Sequence, residues 1–138
     1  MQLTKKIVDE LTYKIIGAAI TVHKELGPGL LEKVYHECMI YELRLLGLEV
    51  SSEHPVDVTF KGVKMKTKLR ADLLIENTVV VELKSLNAMP PILDAQVITY
   101  MKQLRKPKGV LINFNVLNIF KEGQRTLVNE LYRSLPDK

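Results

Sequence analysis

The chain has 138 residues, of which 46% are hydrophobic, and it carries a formal net charge of +4. This length is typical of one ordinary domain that buries its own core, so we predict a single domain over residues 1–138. A lone cysteine, Cys38, excludes an intramolecular disulfide and suits a reducing compartment. The basic balance favours encounter with polyanions such as nucleic acid, although many proteins with other partners share it.

The N-terminal segment predicts an amphipathic helix. Its apolar residues recur three or four positions apart over residues 4–26, which indicates one buried helical face. Asp9 and Glu10 interrupt the apolar run, which fits neither a signal peptide nor a membrane span. We therefore expect a cytoplasmic protein with no membrane association. Gly27-Pro28-Gly29 ends the helix, because proline cannot continue it.

The remaining segments show either helical or strand periodicity. Helical spacing over residues 31–46 ends at Gly47, and β-branched alternation begins beyond it. Further strands are predicted over residues 56–60, 69–75, 78–83, 110–114 and 116–120, and further helices over residues 92–104 and 125–135. The last two strands are predicted to pair as a hairpin through Asn115. The fold class is α/β of the α+β type, with the predicted order α-α-β-β-β-β-α-β-β-α, in which one of the four strands before the third helix has no assigned bounds.

Charged side chains interrupt the predicted buried strands. Side chains alternate faces along a strand, so Glu82 and Lys84 project from the same side. Asp72 lies in the preceding strand, and antiparallel pairing brings its carboxylate beside Glu82. Two carboxylates in an apolar sheet are unfavourable unless a cation neutralises them, and oxygen ligands suit Mg²⁺ or Mn²⁺. The alternative is a cross-strand ion pair between Lys84 and one of the acids.

Three short motifs carry a resemblance to a known family. Asp72 followed by Glu82-Leu83-Lys84 resembles the motif that names the PD-(D/E)XK nuclease superfamily, with Ala71 in place of its proline. Residues 29–35, Gly-Leu-Leu-Glu-Lys-Val-Tyr, resemble the motif of the GxxExxY family within that superfamily. Residues 96–100, Gln-Val-Ile-Thr-Tyr, are similar to the Q-x-x-x-Y motif of its exonuclease-like branch. The resemblance implies a restriction-endonuclease-like fold, with a central mixed sheet flanked by helices.

The resemblance also implies an activity and a metal. Asp72 and Glu82 would bind Mg²⁺ or Mn²⁺, and Lys84 would assist catalysis. The expected function is a metal-dependent nuclease that hydrolyses phosphodiester bonds of nucleic acid, with DNA as the expected substrate. The alternative is a non-catalytic nucleic-acid-binding or protein-interaction module that retains the fold. A homodimer or a partner protein would help so small a domain to enclose nucleic acid.

Helical residues near the first turn supply further candidates. Glu32 would add an acidic group to the metal shell; its alternative role is to complement the helix dipole. Gly29, Glu32 and Tyr35 are three apart and are predicted to share one helical face, with a core aromatic as the alternative for Tyr35. His23 ends the first helix near this turn, and it would act in catalysis or only complement the helix dipole.

Polar residues elsewhere would contact substrate. Gln96 and Tyr100 are four apart on one helical face, where they would touch water, a phosphate or a base; the alternative is a solvated face. Basic residues alternate along one stretch that would track a phosphate backbone, or would only protect a strand edge. These residues are Lys61, Lys64, Lys66, Lys68 and Arg70.

Overall fold

Five strands form one mixed sheet in the computed structural model, which describes residues 2–138. The elements are α1 (Lys5–Leu26), α2 (Glu32–Leu45), β1 (Val50–Phe60), β2 (Val63–Ile75), β3 (Val79–Lys84), α3 (Ile92–Leu104), β4 (Lys108–Asn113), a π-helical turn (Ile119–Gly123), β5 (Gln124–Val128) and α4 (Glu130–Arg133). The strand order is β1-β2-β3-β4-β5; β3 and β4 are parallel, and the other neighbouring pairs are antiparallel. The predicted fold class, a mixed sheet flanked by helices, is confirmed.

Helices cover both faces of the sheet, and the central strand β3 divides its side chains between them. Val79 and Val81 lie in the core formed with α1 and α2, whereas Val80 lies in the core formed with α3. All three valines are fully buried, as expected of a strand that is covered on both faces. Because side chains alternate along β3, Glu82 lies on the α3 side of the sheet.

Helix α1 is long but amphipathic. It begins after Thr4, whose Oγ1 accepts a hydrogen bond from the N–H of Ile7 at 3.1 Å. It ends at Gly27, whose φ of +70° suits glycine. Asp9 and Glu10 lie on its exposed face. Among residues 2–138, no helix combines the length and apolarity needed to cross a membrane.

The element order departs from the predicted one between the second and third helices. Three strands lie there instead of four, because β2 runs without a break from Val63 to Ile75. Its pairing with β1 continues to Phe60, so a partner strand satisfies backbone groups of its lysine-rich first half. The local sequence does not show this pairing, since the partner lies across a turn.

The C-terminal region also departs from the prediction. Residues 116–120 do not form the predicted hairpin strand; the chain enters the π-helical turn, where Asn118 accepts the N–H of Lys121 at 2.9 Å. Strand β5 occupies the first four residues of the helix predicted over residues 125–135, and only the short α4 is helical within that range. Pairing with β4 overrides the helical periodicity, because β4 would otherwise present an open sheet edge.

Helix α3 packs directly on Gly109 of β4. A Cβ atom at this position would lie 2.5 Å from Val97 Cγ1 and 2.7 Å from Met101 Sδ. Both of these α3 side chains are fully buried, so a methyl group has no room. Glycine at this position therefore sets how closely α3, with Gln96 and Tyr100, approaches the sheet.

We expect Gly109→Ala to lower the free energy of unfolding by about 1–3 kcal/mol, because the added methyl group overpacks the α3 contact. The matched control is Gly17→Ala in α1, where an added Cβ meets no atom within 4 Å. That control should raise the free energy of unfolding by roughly 0.5–1 kcal/mol through helix propensity. Urea denaturation measures both variants, and effects of the same sign and size would contradict the packing account.

Candidate active site

Asp72 and Glu82 lie side by side where β2 and β3 separate. The backbone pairing of the two strands stops at Leu73 opposite Val81, one residue before both acids. Beyond this point, carboxylate oxygens accept the backbone N–H groups of the neighbouring strand. The N–H of Asp72 donates to Glu82 Oε2 at 2.6 Å, and the N–H of Leu83 donates to Asp72 Oδ2 at 2.8 Å. Each carboxylate is thus oriented by the backbone of the opposite strand.

Each of these carboxylates keeps one oxygen free of protein hydrogen bonds. Asp72 Oδ1 and Glu82 Oε1 bond to none of residues 2–138. No buried side-chain polar atom in that part of the chain lacks a partner, so both oxygens reach solvent. The pair therefore presents two oriented carboxylate oxygens without a protein partner, and oxygen is the ligand atom that hard divalent cations prefer.

Burial and repulsion by the Asp72 carboxylate disfavour ionisation of Glu82. The residue is only 3% exposed, and burial first, then the charge of Asp72, raise the pKa of its carboxyl to about 8. The hydrogen bond from the Asp72 N–H and the ammonium of Lys84 oppose this rise in pKa, whereas the charge of Glu32 adds to it. Near neutral pH, Glu82 is therefore mostly protonated in the free protein.

Glu32 shares the same electrostatic environment from the start of α2. Burial raises the pKa of its carboxyl, and the charge of Asp72 raises this pKa further. The ammonium of Lys84 lowers it, but by less than burial raises it. The N–H of Ser85, in the loop after β3, also interacts with the Glu32 carboxylate and lowers its pKa. The structure thus brings the four residues that we proposed from the sequence, Asp72, Glu82, Lys84 and Glu32, into one cluster.

Tyr35 fixes the turn that leads into α2. Its hydroxyl donates to the carbonyl of Gly27 at 2.6 Å and accepts from the N–H of Leu30 at 3.1 Å. Its ring is fully buried and stacks on Phe114, with 4.4 Å between ring centroids. Gly29 lies before the helix with a φ of +93°, so the prediction of one helical face shared by Gly29 and Tyr35 was wrong.

The structure places His23 against the segment that follows β4. Its Nε2 lies 2.8 Å from the carbonyl oxygen of Val116, in the segment after β4. The imidazole that influences Glu32 belongs instead to His36, one turn later in α2. The ring of His36 also lies 3.0 Å from Ser52 Oγ on β1. This contribution of His36 was not predicted from the sequence, although its spacing of four from Glu32 could have indicated it.

Asn113 holds the loop that follows Lys84. Its buried side chain accepts the N–H of Leu86 at 3.0 Å, and it donates to the carbonyl of the same residue at 3.0 Å. The next residue, Phe114, donates its N–H to the carbonyl of Lys84 at 2.9 Å. This role of Asn113 was not predicted from the sequence; a polar residue that ends a buried apolar run was the available signal.

Helix α3 brings Gln96 and Tyr100 to the opposite side of the cluster. Gln96 Nε2 donates to the Tyr100 hydroxyl at 3.1 Å, as their spacing of four suggested. Burial raises the pKa of Tyr100, and the charge of Glu82 raises it further. Asp94, on the same helix, pairs instead with Arg125 of β5 at 2.8 Å.

The donor chemistry of the cluster fits a divalent cation. A cation would offset the repulsion between Asp72 and Glu82 and would favour the ionised form of Glu82. No group of three His, Cys, Asp or Glu within residues 2–138 is already arranged as a metal-binding set. The fit therefore rests on the Asp72–Glu82 pair, with Glu32 as a neighbouring acid.

Comparison with known families agrees with this arrangement. A family profile described as the PD-(D/E)XK nuclease superfamily matches residues 9–126, which is most of the chain. The chain belongs to the PD-(D/E)XK nuclease superfamily. The match spans Glu32, Asp72, Glu82 and Lys84 together with both helical layers of the fold.

A solved structure has a similar fold. The crystal structure of SSO0001 aligns with a TM-score of 0.51 at 18% sequence identity, covering 73% of this chain and 54% of that chain. This likeness concerns the fold alone, and the chain spans about half the length of that protein. Comparison with curated proteins gives no significant match. The superfamily assignment therefore rests on the family profile.

We expect the metal-free protein to lose stability as the pH rises from about 5 to about 8. Over this range the unfolded chain releases the proton of Glu82, whose ordinary pKa is 4.5, whereas the folded chain retains it up to about 8. Glu82→Gln removes this proton exchange and should flatten the dependence. Urea unfolding with chelator at several pH values measures it, and the matched control is Glu37→Gln on the exposed surface of α2. An unchanged pH slope in Glu82→Gln would contradict the assignment.

Proposed function

We propose that the protein is a metal-dependent nuclease that hydrolyses phosphodiester bonds through Asp72, Glu82, Lys84 and Glu32. The observation that carries the proposal is the Asp72–Glu82 pair, which a buried sheet tolerates poorly without a cation. Membership of the PD-(D/E)XK nuclease superfamily supports the reaction class. The proposed substrate is DNA, and the proposed location is the cytoplasm.

Asp72 and Glu82 are the proposed ligands of Mg²⁺ or Mn²⁺, with Glu32 binding directly or through water. When bound, such a cation would supply positive charge for phosphoryl oxygens and lower the pKa of water. The backbone N–H groups of Asp72 and Leu83 hold one oxygen of each ligand, so both side chains are oriented before a cation arrives. This preorganisation lowers the entropy lost on binding.

Lys84 is the proposed catalytic cation of the chain itself. It shares a face of β3 with Glu82, and its charge influences both Glu82 and Glu32. Its ammonium would orient the attacking water or stabilise negative charge that develops on the phosphoryl group. The two hydrogen bonds between the Asn113 side chain and the backbone of Leu86 limit movement of the strand end that carries Lys84. The hydrogen bond from the Phe114 N–H to the Lys84 carbonyl has the same effect. Gln96 and Tyr100 would contact a phosphate or a base from α3.

We further propose that the chain is a member of the GxxExxY family. The three motif positions have separate roles that support this assignment. Gly29 adopts a left-handed φ of +93°, which favours glycine. Tyr35 binds the turn through its hydroxyl, and Glu32 shares the electrostatic environment of the acid pair. The motif would thus serve to hold one glutamate against β3.

Labelled DNA and RNA, single- and double-stranded, should be cut in Mg²⁺ or Mn²⁺ and left intact with chelator. We expect Asp72→Asn and Lys84→Met each to reduce the rate by roughly 10²-fold or more. Asp72→Asn removes an anionic ligand of the cation, and Lys84→Met removes the ammonium that acts on the phosphoryl group. Glu37→Gln, on the outer surface of α2, should cut like the unmodified chain. Circular dichroism checks that the variants remain folded. Cutting that survives both substitutions, or that ignores chelator, would contradict the proposal and favour a binding module.

A further inference from the structure

Strands β1 and β2 extend together beyond the rest of the sheet. Strand β2 pairs with β3 only from Leu73 to Ile75, whereas its pairing with β1 continues out to Phe60 opposite Val63. We call residues 57–70 of this two-stranded ribbon the arm. At about 3.3 Å per residue, the arm reaches roughly 30 Å from Asp72 to its turn. It therefore begins beside the acidic cluster and leads away from it.

The arm carries the excess positive charge of the whole chain. It contains the five basic residues Lys61, Lys64, Lys66, Lys68 and Arg70, against the single acid Asp57. Arg70 also pairs at 3.7 Å with Glu53, which lies in β1 just outside the arm. Its net charge thus equals the +4 of the full sequence, so the remaining residues balance one another. Charge gathered on one extended element indicates a polyanionic ligand more strongly than a dispersed excess does.

Two lysines of the arm have no acidic partner. Lys64 and Lys68 both pair with Asp57, at 3.1 and 3.7 Å. Lys61 and Lys66 form no ion pair within the described residues. Exposed ion pairs contribute little stability, so the paired lysines also remain available to a competing phosphate.

The tip of the arm is apolar and exposed. Phe60 and Val63 flank the turn with 62% and 59% of their surfaces exposed, and Lys61 Nζ lies 5.6 Å from the centroid of the Phe60 ring. Phe60 is the only aromatic residue of the arm. Single-stranded nucleic acid is usually held by several aromatic rings in succession, so this surface suits a duplex backbone better.

We propose that the arm binds the phosphate backbone of duplex DNA next to the bond that is cut, an inference that rests on the proposed nuclease function. Its reach of about 30 Å is close to one turn of B-form duplex, roughly 34 Å. A two-stranded ribbon also fits the major groove of B-form DNA, about 12 Å wide, whereas the major groove of A-form RNA is too narrow to admit side chains. The arm therefore supplies affinity, and the acid cluster supplies chemistry.

Binding of a labelled duplex of roughly two helical turns, about 20 base pairs, tests the inference by fluorescence anisotropy in chelator over a series of salt concentrations. Lys61→Gln combined with Lys66→Gln should lower the slope of log affinity against log salt by about 2 and weaken binding roughly 10-fold or more. The matched control is Lys14→Gln combined with Lys24→Gln, which removes the same charge from exposed positions of α1. That control should leave the salt slope unchanged.

Asp57→Asn provides a second test that loss of folding cannot imitate. It releases Lys64 and Lys68 from their shared acid, so duplex binding should tighten several-fold and its salt slope should steepen. The inference would be overturned if the arm variant and the α1 control lost the same duplex affinity. It would also be overturned if the unmodified chain did not bind duplex DNA, or if duplex RNA competed equally well. Because binding is measured in chelator, this result is independent of cutting, and failure of the nuclease proposal would be seen separately.

Discussion

The repulsion between two carboxylates inside a hydrophobic sheet is the constraint on which the rest of the site depends. Backbone pairing between β2 and β3 stops just before Asp72 and Glu82, and side-chain hydrogen bonds replace it there. The Asp72 carboxylate accepts an N–H of β3, and the Glu82 carboxylate accepts an N–H of β2. These bonds hold the acids together although burial and like charge oppose ionisation of Glu82. A stable pair therefore requires either a proton or a cation, and this choice links the pH of the solution, the stability of the fold and the proposed chemistry.

The packing around the pair keeps its neighbours at fixed distances. The Tyr35 hydroxyl holds the turn before Glu32, and Gly109 allows α3 to lie close against the sheet. Asn113 fixes the loop after Lys84. These three residues contact different elements, so the geometry of the site depends on both helical layers being in place. Substitutions outside the acidic cluster can therefore change activity through position alone.

Much of the fold followed from periodicity, but features that depend on distant partners did not. The bounds of α3 and the central position of β3 were predictable, because a proline pair and an unbroken valine run mark them locally. The length of β2 and the strand nature of β5 depend on pairing with β1 and β4, which one segment cannot reveal. Similarly, alternation along one strand suggested that Glu82 and Lys84 are neighbours, whereas the approach of Glu32 to Lys84 and Asp72 depends on where α2 lies against the sheet.

Proton release on cation binding tests most directly whether a divalent cation replaces the proton on Glu82. Titration calorimetry with Mg²⁺ or Mn²⁺ at about pH 7, in two buffers of different ionisation enthalpy, counts the protons released. Since the pKa of Glu82 is about 8 in the free protein, binding should release close to one proton per cation, and Glu82→Gln should release almost none. Cation binding without proton release, or with the same release in Glu82→Gln, would contradict the account.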